Sequence, residues 1–108
     1  NAEALLALGG YYAYGFNGLP EDMTKANELF LKAGELGCAH GYYNLGKSYD
    51  NGAGVQMDKK KAKHYYELAA MTGHVFARYS LGIMEGNSSN LRRSLKYFMV
   101  SIRNLIII

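Results

Sequence analysis

Three observations on this chain of 108 residues predict an all-α solenoid of stacked antiparallel helix-turn-helix units. A Leu-Gly dipeptide recurs as Leu8-Gly9, Leu45-Gly46 and Leu81-Gly82, at spacings of 37 and 36 residues. Paired large side chains keep the same grid as Leu29-Phe30, Tyr65-Tyr66 and Tyr97-Phe98. Gly37 and Gly73 close two of the copies, again 36 residues apart. A period in the thirties with two helices per period marks an α-solenoid, because one helical hairpin cannot bury its own apolar face and must stack on the next. The chain divides into units 1–37, 38–73 and 74–108, which together make one domain.

Taken in order, residues 2 to about 14 place Ala4, Leu8, Gly9 and Tyr12 on one face of a first A helix. Gly15, Gly18 and Pro20 break it, and Asp22 stands where its carboxylate can accept a backbone amide of the next helix's first turn. The first B helix is expected from about Met23 to Leu36, stopping at Gly37, where a glycine reaches the left-handed region without steric cost. In the second unit Gly41, Leu45, Gly46 and Tyr49 form the inward stripe of an A helix. Glycine at 46 costs that helix about 1 kcal/mol against alanine, so it implies close approach of a neighbouring helix. Gly52 and Gly54 make the turn. Asp58 precedes Ala62 by four residues, as Asp22 precedes Ala26 and Asn90 precedes Ser94, so three cap-type residues in register predict three B helices. The third unit turns through residues 86–90 on a shorter loop, and its B helix is expected from Leu91 to about Asn104.

Hydrophobic residues make up 49% of the chain and charged residues 19%, the balance of a folded rather than a disordered sequence. A net charge of +3, with no basic run beyond Lys59-Lys60-Lys61, permits a nucleic-acid partner without indicating one, and none is expected. Those lysines read as a solvated helix start, with an acidic or phosphate-bearing partner as the alternative. The lone Cys38 cannot close an intramolecular disulfide, so nothing marks an oxidising compartment and a cytoplasmic setting is favoured. It reads as an ordinary residue at a turn edge. No stretch approaches the roughly 20 apolar residues of a membrane span. The chain lacks an initiating methionine and opens partway through a helical pattern, as a fragment or a processed product does.

No catalytic residue, metal or cofactor is expected. His40, His64 and His74 include no two at zinc spacing on one helix, and one cysteine does not complete a ligand set. None of the six serines has a lysine three residues on, and Ser88-Ser89-Asn90 resembles a β-lactamase triplet only superficially. The sharper candidate is a surface. If Gly41, Leu45 and Tyr49 face inward, His40, Tyr43, Asn44 and Lys47 form the opposite stripe of the same helix. One period on lie Phe76, Tyr79, Ser80 and Ile83, and one period back Glu3, Leu6, Ala7 and Gly10. Stacked, these stripes line a groove with polar donors on aromatic walls, suited to an extended peptide, with His40, Tyr43, Asn44, Lys47, Tyr79 and Ile83 as partner contacts. The alternative for Tyr43, Phe76 and Tyr79 is packing between adjacent A helices. The apolar tail Leu105-Ile106-Ile107-Ile108 is expected to cap the last helix pair, to continue into further repeats, or to associate with another copy.

The repeat resembles the Sel-1-like repeat, a relative of the tetratricopeptide repeat. Unit 38–73 carries that pattern in Leu45-Gly46, Tyr49, Gly52, Gly54-Val55, Asp58, Lys61-Ala62, Tyr65-Tyr66, Ala69-Ala70 and Gly73, and departs from it at Gly41, where the pattern has alanine. Unit 1–37 keeps Ala4, Leu8-Gly9, Tyr12, Asp22, Lys25-Ala26, Phe30, Ala33 and Gly37 with an altered turn. Unit 74–108 keeps Ala77, Leu81-Gly82, Gly86 and the aromatic pair, and loses the full loop, the lysine-alanine and the final glycine. The resemblance implies a right-handed superhelix whose A helices line a concave face. It also implies an adaptor or scaffold role in holding other proteins together, often in signalling or in quality control at the endoplasmic reticulum. Two other readings stand beside it. The fragment-like start and apolar finish fit a structural stretch of a larger assembly held through its ends, and some bacterial members of the family are described as binding or hydrolysing β-lactams.

Overall fold

Most helix starts among the described residues are set by side chains that satisfy the orphan amides of the first turn. Asn1 Oδ1 accepts from the Ala4 amide at 2.7 Å, Asp22 Oδ1 from Lys25 at 3.0 Å, and Asp58 Oδ1 from both Lys60 and Lys61 at 3.0 and 3.1 Å. The helices so begun in the computed structural model are α1 (Ala2–Tyr14), α2 (Met23–Glu35) and α4 (Lys59–Met71). Between and after them run α3 (Ala39–Asn51) and α5 (Val75–Glu85). The structure describes residues 1–86 together with 95, 96, 99, 100, 102 and 103, the last six helical. The third cap-type residue Asn90, most of the expected helix 91–104 and the tail Leu105 to Ile108 lie outside the described residues. Because one carboxylate holds two amides of α4, Asp58→Ala is expected to destabilise the chain by about 1 kcal/mol, read as a lower urea midpoint at unchanged slope.

Gly37 and Gly73 end the B helices at φ 99° and 93°, where Cys38 and His74 donate back to the carbonyls of Ala33 and Ala69 at 3.0 Å. Five helices and no strand among the described residues, each packed on the next in sequence, make an all-α solenoid with α1, α3 and α5 as A helices and α2 and α4 as B helices. The core runs along the seams. Leu45, 3% exposed, packs with Ala26 and Phe30 of α2, while Ala62, Tyr66 and Ala69 of α4 pack with Ala77 of α5.

The repeated glycines are contact points. A Cβ on Gly46 would stand 2.7 Å from the Tyr66 ring, and one on Gly9 would stand 2.7 Å from the Phe30 ring, so the Leu-Gly step admits the aromatic of the paired B helix. Gly41 is tighter: its Cβ would lie 2.5 Å from the Phe30 carbonyl oxygen and 2.8 Å from the Gly34 nitrogen, so α3 rests on the backbone of α2.

Two sequence readings change here. Ala4 and Leu8 repeat the positions of Gly41 and Leu45 but are exposed, because α2 covers the α3 pair and no described helix covers the α1 pair. Lys59 is not simply solvated: it pairs with the Asp50 carboxylate and donates to the Asp50 carbonyl at 2.9 Å, while Lys61 sits 5.4 Å from the Tyr49 ring centre. Asn27, which no motif marked, is buried and donates to the Ala53 carbonyl at 2.8 Å; Thr24 adds a bond to Gly54. These contacts fasten the glycine turn of one unit onto the B helix of the unit before it.

Candidate functional site

Helix α3 meets a neighbour on each side. Its inward residues Gly41, Leu45 and Gly46 meet α2 and α4, which leaves the stripe through residues 40, 43, 44 and 47 turned toward α1 and α5. The structure divides that stripe in two.

On the α1 side, Asn44 and Lys47 line a pocket of about 200 Å³. Its other walls are Gly10, Ala13 and Tyr14 of α1, Met23 and Phe30 of α2, and Ser48, Asn51 and Ala53. Asn44, Lys47, Ser48 and Asn51 follow one another at helical spacing, so two amides, an ammonium and a hydroxyl face one apolar wall. Among the described residues, no side-chain hydrogen bond occupies Asn44, Ser48 or Asn51, and Lys47 has no carboxylate partner. Its ammonium lies 5.6 Å from the centre of the Tyr43 ring. Such a pocket sets a polar rim over an apolar floor.

On the α5 side, His40 and Tyr43 enter an aromatic seam. Tyr43 is half-buried and stacks on His74 at 4.4 Å between ring centres, with Tyr66 at 5.8 Å and Phe76 at 6.5 Å. His74 Nε2 lies 3.3 Å from His40 Nδ1, and His74 Nδ1 accepts from the Ala77 amide at 3.2 Å. Burial, then the neighbouring His40, push the His74 pKa down to about 4; burial, then Lys47, lower that of His40. Tyr79 and Ile83 are exposed on α5, away from the pocket.

Of the six sequence-proposed contacts, the structure therefore brings Asn44 and Lys47 together in the pocket and His40 and Tyr43 together in the seam, with Tyr79 and Ile83 on α5 away from the pocket. Tyr43 packs against His74, Tyr66 and Phe76 in that seam. Asn51 was legible as the next step of the 40, 44, 47 stripe, whereas Tyr14, Met23 and His74 come from other elements and carried no signal of a site. His74 stands one period after Cys38, which begins α3 without a side-chain cap. Among the described residues, no three His, Cys, Asp or Glu side chains gather to hold a metal ion, and no helix is long and apolar enough to cross a membrane.

Comparison with known proteins places this geometry. The family model described as Sel1 repeat matches residues 2–38 and 39–74. Protein sel-1 homolog 2 of Homo sapiens is 30% identical over 106 residues, covering 95% of this chain and 15% of that protein. The ERAD-associated E3 ubiquitin-protein ligase component HRD3B of Arabidopsis thaliana is 33% identical over 100 residues, covering 90% of this chain and 15% of its own length. Among solved structures, c5321, a protective antigen present in uropathogenic Escherichia coli strains displaying an SLR fold, superposes with a TM-score of 0.78 at 36% identity. That match covers 96% of this chain and 23% of the other. The chain thus spans a small part of the length of the relatives it matches. With two matched repeats, the helix-pair architecture and these relatives agreeing, the chain belongs to the Sel1 repeat family, whose helical repeats generally serve as protein-interaction modules rather than as enzymes.

Proposed function

We propose that this chain is an adaptor module that holds an extended segment of another protein in the groove lined by its A helices. The observation that carries the reading is the stripe of side-chain donors at Asn44, Lys47, Ser48 and Asn51 over the apolar wall of α1 and α2, with no side-chain hydrogen bond or ion pair among the described residues. In this reading the pocket takes an apolar side chain of the segment, Asn44 and Asn51 pair with its backbone, and Lys47 meets an acceptor. His40, Tyr43, Tyr79 and Ile83 continue the contact toward α5. HRD3B, described as a component of a ubiquitin ligase, is a relative whose name fits work within a protein assembly.

Peptides selected from a random display library against the purified chain provide the test. Asn44→Ala with Lys47→Ala is expected to weaken the selected peptide about tenfold or more by fluorescence anisotropy, at unchanged thermal midpoint. Lys63→Ala with Glu67→Ala, on the exposed face of α4, is expected to change neither. Unchanged binding by the Asn44 and Lys47 double variant would refute the site.

A second reading is favoured by the exposed apolar edge of α1 at Leu8 and Tyr11, where a further repeat would stack and make the chain a stretch of a larger scaffold. The two separate by which surface a partner protects from hydrogen exchange: the 44–51 stripe in the first, the Leu8 edge in the second.

A further inference from the structure

We infer that His40 and His74 form a proton-binding site across the α3–α5 seam, and that a proton bound there loosens the first turn of α5. This stands apart from what the groove binds, since it concerns how one of the groove's walls is held.

The hydrogen bonds fix the tautomers. His74 Nδ1 accepts the Ala77 amide at 3.2 Å as the cap of α5, so that nitrogen carries no proton. The proton of the neutral ring is then on Nε2, which lies 3.3 Å from His40 Nδ1 and donates to it. His40 Nδ1 is therefore bare as well, and its proton is on Nε2. Each ring has one protonation site left, and each is already an acceptor. A proton on His74 Nδ1 sets an N–H against the Ala77 amide and removes the cap; a proton on His40 Nδ1 sets an N–H against the Nε2–H of His74. Either event turns an attractive contact into a donor-donor contact inside the stack of Tyr43, His74 and Phe76.

The surroundings give little to compensate. From α3 the facing groups are Tyr43 and, beside His40, the cation Lys47. From α4 comes Tyr66, in contact with Tyr43, whose hydroxyl donates to Asp50, a carboxylate already paired with Lys59. Within α5, Arg78 donates to the Ala70 carbonyl at 3.4 Å and adds a second cation. The face of Tyr43 attracts an imidazolium, but the partial burial of His74 and then the neighbouring His40 push its pKa down to about 4, while that of the more exposed His40 is lowered by burial and then by Lys47. With folded values below unfolded ones, the native chain binds fewer protons than the unfolded chain at mildly acid pH. The stabilisation is complete above about pH 6.5 and is lost as pH falls toward 4. The core seam of Ala26, Phe30 and Leu45 holds no histidine, so the loosening is confined to the α5 side.

The test is a nuclear magnetic resonance titration of the full chain between neutral and acid pH, following the histidine ring nitrogens and the exchange protection of the Ala77 amide. At neutral pH the ring shifts are expected to report His74 with a bare Nδ1 and a protonated Nε2. Near pH 4.5 Ala77 is expected to lose protection about tenfold or more while the Leu45 amide keeps its own. His74→Asn, which retains a cap acceptor without a titrating ring, is expected to keep α5 protected across the same range. An Nδ1–H tautomer at His74, a titration at or above 6.5, or equal acid loss in His74→Asn would overturn the proposal. The first two readings need no variant, so they decide the matter even if His74→Asn fails to fold.

Discussion

Alanine at position 41 is expected to destabilise the chain by about 2 kcal/mol, although alanine is the better helix former and the residue the Sel-1-like pattern carries there. Propensity alone favours the substitution by about 1 kcal/mol. Against it, the new methyl would lie 2.5 Å from the Phe30 carbonyl oxygen and 2.8 Å from the Gly34 nitrogen, both backbone atoms that no rotamer change can move. Overpacking of that kind typically costs about 1–3 kcal/mol and more where backbone must shift. One unit later, alanine does stand at the equivalent position, as the fully buried Ala77, and there Ala70 replaces the glycine found at 34. Gly41 against the α2 backbone, and Gly34 against the Tyr42 ring, are thus what let α2 and α3 come together. Gly10→Ala supplies the control of opposite sign: it is helical, nothing stands within 4 Å of its Cβ, and it is expected to gain up to about 1 kcal/mol. Urea unfolding of both variants decides it, and a Gly41→Ala chain as stable as the parent would show that the two helices are not held at backbone contact.

Leu45→Ala is expected to cost more, about 2–5 kcal/mol, since the side chain is 3% exposed between α2 and α3 and a cavity there is walled by Ala26 and Phe30. The same substitution at Leu8, one period earlier and 38% exposed, is expected to cost about 0.5 kcal/mol or less. Equal effects at the two positions would mean that the repeat register, rather than burial, has been misassigned. A chain of this size has little stability to spare, so the Leu45 variant is best measured at low temperature or with the midpoint read by two probes.

Much of the fold was legible because its determinants are local and repeated. Asp22, Asp58, Gly37 and Gly73 mark helix ends through bonds reaching only a few residues, so their spacing alone places both ends of α2 and of α4. The Leu-Gly step was legible as a close contact, though not which ring would fill it. What escaped was whatever depends on a neighbour brought from elsewhere in the chain. Periodicity assigned Leu8 the burial of Leu45, since it counts positions and not the helices that cover them. It placed His40, Tyr43, Asn44 and Lys47 on one stripe, yet α1 and α5 divide that stripe into a pocket and a seam. Asn27 and His74 bear on the candidate site through single hydrogen bonds across 26 and 34 residues, and a lone buried amide or imidazole leaves no pattern in sequence.

The most direct measurement is a map of amide shifts in the labelled chain on adding a display-selected peptide. An adaptor acting through its A helices predicts changes gathered at Gly10, Asn44, Lys47, Ser48 and Asn51, with the outer residues of α2 and α4 still. Changes gathered on α2 and α4, with the 44–51 stripe unmoved, would contradict it.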